Sequence, residues 1–229
     1  MNKRIVLVTG AGIGIGRAVS EVFAAQGDHV VLTDVLEAEG AAAVAAITAS
    51  GGSAEFRPLD VRSTAGADAL VQDLNAQYGG IDVIVANAGI AHRVPMSEMT
   101  DEKWDETFDI DLKGMMRVIR PALPAMKPGS SVICLSSIMG VSYGWDEHVH
   151  YSSAKAGVVG LVRGLAVEFA ARNIRVNGVA PGYIRTAQLL NPKNSLGPDA
   201  ARIASPYIPM GRLGEPHEIA NVIKFLASA

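Results

Sequence analysis

Tyr151 and Lys155 stand four residues apart in a segment that reads as a helix, so both side chains lie on one face. A free tyrosine has a pKa of ~10 and is a poor base at neutral pH. A lysine ammonium beside it favours the phenolate, so Lys155 is expected to lower that value. Ser137 lies fourteen residues earlier, just past an apolar run, and its hydroxyl suits a substrate oxygen while Tyr151 moves the proton. Tyr-x-x-x-Lys alone is common on surface helices. It gains weight from a second set of residues near the N-terminus, where Ile5-Val6-Leu7-Val8-Thr9 runs into Gly10, Gly12, Gly14 and Gly16.

Behind that turn, Ile15, Ala18, Val19, Val22 and Phe23 recur at helical spacing. Strand, glycine turn and helix together bind a dinucleotide: the backbone approaches the pyrophosphate, and the helix N-terminus offers free N–H groups and positive dipole. The spacing is not G-x-G-x-x-G, because Ile15 and Arg17 stand where the third glycine would fall; what fits is T-G-x-x-x-G-x-G from Thr9 to Gly16, with Ile13 and Ile15 between the glycines. Asp34 follows about twenty positions later at the end of a strand, where a carboxylate accepts both ribose hydroxyls. It also repels a 2′-phosphate, since like charges ~4 Å apart cost about 4 kcal/mol at an effective dielectric near 20. NAD is therefore expected over NADP.

These residues need a scaffold, and the chain supplies strands alternating with helices. Strands are expected at Ile5–Thr9, His29–Thr33, Ala54–Leu59, Ile81–Ala86, Ser131–Leu135 and Ile174–Ala180. Helices are expected from the glycine turn to Gln26, over Glu37–Ala49, from Ser63 to Gly79, from Thr100 towards Pro121, over Tyr151–Arg172 and over Glu215–Ser228. Ile138–His150 reads as a loop, and 187–210 as a mobile substrate lid. The alternation gives an α/β fold, a Rossmann-type doubly wound parallel sheet of six strands in three layers, as a single dinucleotide-binding catalytic domain over 1–229.

A length of 229 residues, 49% hydrophobic with 5% aromatic, suits one such domain with a sizeable core. The net charge of −3 is interspersed, with no basic run for nucleic acid or anionic membrane. Met1-Asn2-Lys3-Arg4 precedes an apolar run too short for a signal peptide, and no stretch reaches the ~18 residues of a membrane span. Cys134, the one cysteine, sits in an apolar strand and implies a reducing compartment, so a soluble cytoplasmic protein is expected.

The landmarks resemble, in order and over essentially the whole chain, those of the classical short-chain dehydrogenase/reductase family: Thr9–Gly16, Asp34, Asp60-Val61, Asn87-Ala88-Gly89, Ser137, Tyr151-x-x-x-Lys155 and Pro181-Gly182-x-Ile184-x-Thr186. The resemblance implies that Gly10–Gly16 hold the pyrophosphate, Asp34 the adenosine ribose, and Asp60 with Val61 the adenine. Asn87, Ala88 and Gly89 would border the cofactor. Lys155 would bind the nicotinamide ribose, and Pro181, Gly182, Ile184 and Thr186 would surround the carboxamide. Tyr151 would be the acid/base and Ser137 the carbonyl anchor, acting on a small-molecule alcohol or ketone. A homodimer or homotetramer through the helices after Thr100 and Tyr151 would follow.

The sequence departs from the family in two places. Asp111 stands where the family has an asparagine that supports a water serving the lysine. An ionised Asp111 would stabilise the Lys155 cation and offset its pull on Tyr151. A seventh, C-terminal strand of the family is absent before Ala229.

Asp146, Glu147, His148 and His150 cluster without a metal-ligand spacing, so no metal is expected; Trp145, His148, His150 and His92 are expected to line the substrate pocket. Two rival readings stand beside the NAD-dependent oxidoreductase. One is a non-catalytic NAD-binding protein of the same fold. The other is an NADPH-dependent 3-oxoacyl-carrier-protein reductase, which Asp34 and the scattered charge disfavour.

Overall fold

The computed structural model describes residues 3–228. Met1 and Asn2 of the basic start, and Ala229, lie outside them.

Strand β1 (Ile5–Thr9) is the central strand, and its side chains show why the fold has three layers. Ile5 and Leu7 point to one face of the sheet and Val6 and Val8 to the other, and each face has its own core. Helices α1 (Gly14–Ala25), α2 (Glu37–Ala49) and α10 (Pro216–Leu226) cover one face through Val19, Phe23, Ile47 and Ile223. Helices α3 (Thr64–Tyr78), α5 (Gly114–Ala122) and α7 (Val149–Phe169) cover the other through Val71, Leu74, Val118, Ile119 and Val158. Burying each such Val, Leu, Ile or Phe contributes about 1.5–3 kcal/mol.

The remaining strands are β2 (His29–Asp34), β3 (Ser53–Pro58), β4 (Val83–Ala86), β5 (Ser131–Leu135) and β6 (Arg175–Val179). All pair in parallel in the order β3-β2-β1-β4-β5-β6, with Val8 opposite both Leu32 and Val85. The order reverses between β1 and β4. A crevice opens there, beyond the strands' carboxyl ends, where open α/β sheets take ligands.

Local structure departs from the sequence-based expectation in four places. The helix after Thr100 is not uniform: α4 (Asp101–Phe108) passes through a π turn at Asp109–Lys113 before α5. Such a turn frees backbone groups, and here Arg117 Nη1 donates to the Asp109 carbonyl at 3.1 Å. The loop after β5 contains a short helix, α6 (Ile138–Val141), whose N-cap is Ser137. Helix α7 begins at Val149, two residues before Tyr151. Segment 187–210 is not featureless: α8 (Ala187–Leu190) and α9 (Ala200–Ala204) pack around a small apolar cluster of Tyr183, Leu189, Ala200, Ala204 and Leu213. Among the described residues no helix is long and apolar enough to cross a membrane, and no group of His, Cys, Asp and Glu is arranged to hold a metal.

Candidate active site

Thr9 ends β1, and its hydroxyl accepts from the backbone N–H of Asn87 at 3.0 Å and of Ala88 at 3.1 Å. Asn87 Nδ2 donates in return to the carbonyls of Thr9 at 2.9 Å and Gly10 at 3.0 Å. These bonds fix the ends of β1 and β4 against each other, at the point where the strand order reverses.

The glycine turn is shaped by contact as much as by backbone freedom. Gly10 has φ +63°, and a Cβ there would lie 2.8 Å from Ala88 Cα. A Cβ on Gly16 would lie 2.1 Å from the Gly10 carbonyl oxygen. Gly10, Ile13, Gly14 and Ile15 line the cavity, whereas Gly12 and Gly16 are not among its lining residues. Gly12 and Gly16 allow close packing behind the turn, Gly12 against Asp34 and Gly16 against the Gly10 carbonyl. Helix α1 has no side chain bonded at its N-cap and no acid in its first turn. Its first N–H groups therefore remain open to an anion, and the residues present fit a dinucleotide pyrophosphate.

Asp34 is almost fully buried beside this turn. Its Oδ2 accepts from Gly12 N at 2.9 Å and its Oδ1 from Leu36 N at 3.1 Å, so the carboxylate is aimed rather than free. Farther along the same wall, Asp60 is chelated by Arg62, with Nη2 to Oδ2 at 2.7 Å, and the Arg62 hydrogen bond holds its carboxyl below the usual range. Val61 is buried beside it, and Arg117 donates to its carbonyl at 3.4 Å.

At the other end, β5 delivers Ser136 and Ser137, and α7 delivers Tyr151 and Lys155. Ser137 is buried and its Oγ accepts from Met139 N at 3.2 Å. Lys155 Nζ lies 5.5 Å from the centre of the Tyr151 ring and donates to the Leu135 carbonyl at 3.1 Å. Asp111 is fully buried; its Oδ1 accepts from Ile90 N at 2.8 Å and its Oδ2 lies 3.1 Å from Lys155 Nζ. The π turn carries Asp111 to this position. Gly89 leaves room for the pair, since a Cβ there would lie 2.9 Å from Asp111 Oδ2 and 3.2 Å from Lys155 Nζ.

The electrostatics correct one expectation. Burial raises the Tyr151 phenol above its ordinary value; Lys155 pulls it down, Asp111 pushes it up again, and the Ser137 hydroxyl opposes. Lysine does favour the phenolate, but burial outweighs it. For Lys155 burial works against the charge, yet Asp111 and then Tyr151 more than offset it and the ammonium is held above its ordinary value. Burial likewise raises the Asp111 carboxyl against the pull of Lys155, so the pair grips its proton. The neighbouring Cys134 thiol is pushed up to about 12 by burial and is inert.

One cavity of about 480 Å³ runs from Asp34, Asp60 and Val61, past Asn87, Ala88 and Gly89, to Asp111, Ser137, Tyr151 and Lys155, with Pro181, Gly182, Ile184 and Thr186 on its wall. Trp145 and His148 also line it, but His92 and His150 do not. His150 is turned inward and fully buried, with neither ring nitrogen hydrogen-bonded, and burial lowers its pKa. Its place one residue before Tyr151 turns it roughly 100° away on the helix. Tyr143, Tyr183, Gln188, Leu189 and Ser195 also line the cavity, and the sequence did not single them out as substrate residues. Arg117 carries no signal in the sequence: its bond to Asp109 Oδ1 at 2.7 Å spans eight positions, which no regular helix spacing announces.

The chain is similar to known proteins in sequence and in fold. The family model described as enoyl-(acyl carrier protein) reductase matches residues 10–229. The chain is 37% identical to the 3-oxoacyl-acyl-carrier-protein reductase FabG of Thermotoga maritima, covering 100% of this chain and 92% of that one. It is 40% identical to a cis-4-hydroxycyclohexanecarboxylate dehydrogenase of Sinomonas cyclohexanicum, over 99% and 90% of the two. Among solved structures, a dehydrogenase/reductase from Sinorhizobium meliloti superposes with a TM-score of 0.92 at 30% identity, covering 100% of this chain and 89% of that one. Levodione reductase superposes at 0.90 and 35%, over 98% and 90%.

Proposed function

The chain belongs to the short-chain dehydrogenase/reductase family, and from that premise we propose that it is an NAD-dependent oxidoreductase interconverting a secondary alcohol and its ketone. The observation that carries the reading is the single cavity joining Asp34 at one end to Ser137, Tyr151 and Lys155 at the other. A bound nicotinamide would supply the hydride acceptor or donor.

The chain's own residues supply the rest. Ser137 Oγ donates to the substrate oxygen and holds it beside Tyr151. In oxidation the Tyr151 phenolate takes the hydroxyl proton as the C–H bond breaks; in reduction the phenol returns it. Lys155, charged and fixed by Asp111 and the Leu135 carbonyl, stabilises the phenolate, and would hold the nicotinamide ribose. Asp34 would hold the adenosine ribose hydroxyls. No cation on that stretch of wall is free for a 2′-phosphate among the described residues, because Arg62 is already held by Asp60. Ile184 and Thr186 would steady the carboxamide, and 187–210 would act as lid. The buried Cys134 thiol fits a reducing, cytoplasmic setting, and the apolar groove of Ile119, Leu123, Leu161 and Leu165 fits a homodimer or homotetramer.

The relatives' names favour different substrates. The FabG relatives favour a 3-oxoacyl group on a carrier protein, whereas the cis-4-hydroxycyclohexanecarboxylate dehydrogenase favours a cyclohexane ring. A panel of alcohols and ketones with NAD(H) and NADP(H) tests the reading. Turnover with NAD(H) at least tenfold above NADP(H) is expected, and no turnover of any compound with either cofactor sinks it.

A further inference from the structure

The reacting end of the cavity is walled by rings. Trp145 packs on Tyr183 with centroids 4.9 Å apart and on His148 at 5.9 Å, and His148 stands edge-on to Tyr151 at 6.4 Å. Both ring nitrogens of His148 face backbone carbonyls rather than the cavity: Nδ1 lies 2.7 Å from the Asp146 carbonyl and Nε2 3.1 Å from the Asn194 carbonyl. The second of these contacts ties the ring wall to the 187–210 segment. Leu189, on that segment, adds an apolar side to the wall.

The charges on the wall are committed as well. Among the described residues, the lysines and arginines that line the cavity are Arg62 and Lys155. Arg62 is held by Asp60 at 2.7 Å, and Lys155 by Asp111 at 3.1 Å. Asp34 and Glu106 add negative charge. At the reacting end, away from the open N–H groups of α1, a substrate carboxylate or phosphate would lose water and gain no free cation, which is strongly unfavourable. A flat apolar body gains both dispersion and edge contacts from the rings.

We propose that the substrate of this site is uncharged and carries a compact ring, as a cyclic ketone or the matching secondary alcohol, held against Trp145. This inference rests on the oxidoreductase reading above and narrows its substrate class.

The test is direct binding, read from Trp145. Trp104 stacks on Phe108 on α4 and does not line the cavity, so Trp104→Phe leaves Trp145 as the sole indole. With saturating NAD, the chain is titrated with cyclohexanone, with 4-oxocyclohexanecarboxylate and with the uncharged linear thioester acetoacetyl-N-acetylcysteamine. Cyclohexanone is expected to quench the Trp145 emission and to bind at least tenfold more tightly than either of the others. Equal or tighter binding of the carboxylate or the thioester overturns the inference, as does no binding of cyclohexanone. In the unaltered tryptophan background, Trp145→Ala should raise KM for the ring ketone at least tenfold while leaving the Kd for NAD within twofold; an unchanged KM also overturns it. Failure of the underlying reading looks different: NADH and NADPH would then support turnover of none of the three compounds.

Discussion

Asp111 Oδ2 lies 3.1 Å from Lys155 Nζ, and both side chains are buried beside the Tyr151 ring. The pair couples a carboxylate on the π turn to the lysine beside Tyr151, the proposed acid/base. Replacing Asp111 with Asn keeps the acceptor for Ile90 N but removes the negative charge that pushes Tyr151 upward. Asp111→Asn should therefore retain turnover while the pH profile of oxidation moves down. A profile that stays in place, or moves up, counts against this coupling. Thermal unfolding should show a cost, since losing one partner of a buried ion pair typically destabilises by about 3–5 kcal/mol.

Tyr151 sets the sign of the pH dependence. Its pKa is raised, first by burial, so the phenol predominates at neutral pH. Oxidation needs the phenolate and should climb as pH rises towards that pKa. Reduction needs the phenol and should hold at neutral pH and fall in the alkaline range. Tyr151→Phe should still bind NADH, measured by its fluorescence, and lose at least 100-fold in kcat, within the about 10²–10⁴-fold range of a positioned acid/base. Unimpaired turnover would end the mechanism.

Asp34→Ser tests the cofactor. The substitution removes the carboxylate that would repel a 2′-phosphate and shortens the reach to Gly12 N and Leu36 N. The ratio of kcat/KM for NAD over NADP should fall at least tenfold, equivalent to about 1.4 kcal/mol. An unchanged ratio would show that the preference is set elsewhere.

Gly16→Ala tests the packing reading of the turn. Its Cβ would meet the Gly10 carbonyl oxygen at 2.1 Å and Asn87 Nδ2 at 2.6 Å, neither of them free to move. NAD binding by calorimetry should be lost or weakened at least 100-fold. Gly27→Ala is the control. A Cβ there meets nothing within 4 Å, so NAD binding should be unaltered and stability should fall only through the φ of +95°.

Phe23→Ala tests the core between α1 and the sheet. Phe23 is fully buried, and deleting such a ring costs about 3–5 kcal/mol. Chemical denaturation should show this loss with the slope of the transition unchanged. A loss under about 1 kcal/mol would mean that the helices close the gap.

The sequence by itself determined the alternation of strands and helices, because period-2 and period-3.6 patterns are local. It likewise determined the chemistry available, because a tyrosine and a lysine four apart on a helix must share a face whatever surrounds them. Gly10, Gly14, Asp34, Ser137, Tyr151 and Lys155 all reach one cavity, as that local reading implied. What only the tertiary structure decided depends on burial and on distance through space. Lys155 does not win the Tyr151 phenol, because desolvation is a property of the whole surround and not of the next turn. His150 sits beside Tyr151 in sequence and faces away from it in space, while Tyr183 and Leu189, far along the chain, form the wall. Asp111 meets Lys155 only because a π turn, anchored by Arg117, carries it there. The order of residues along a helix sets which face they share; which of those faces is dry, and what lies across from it, is set by packing.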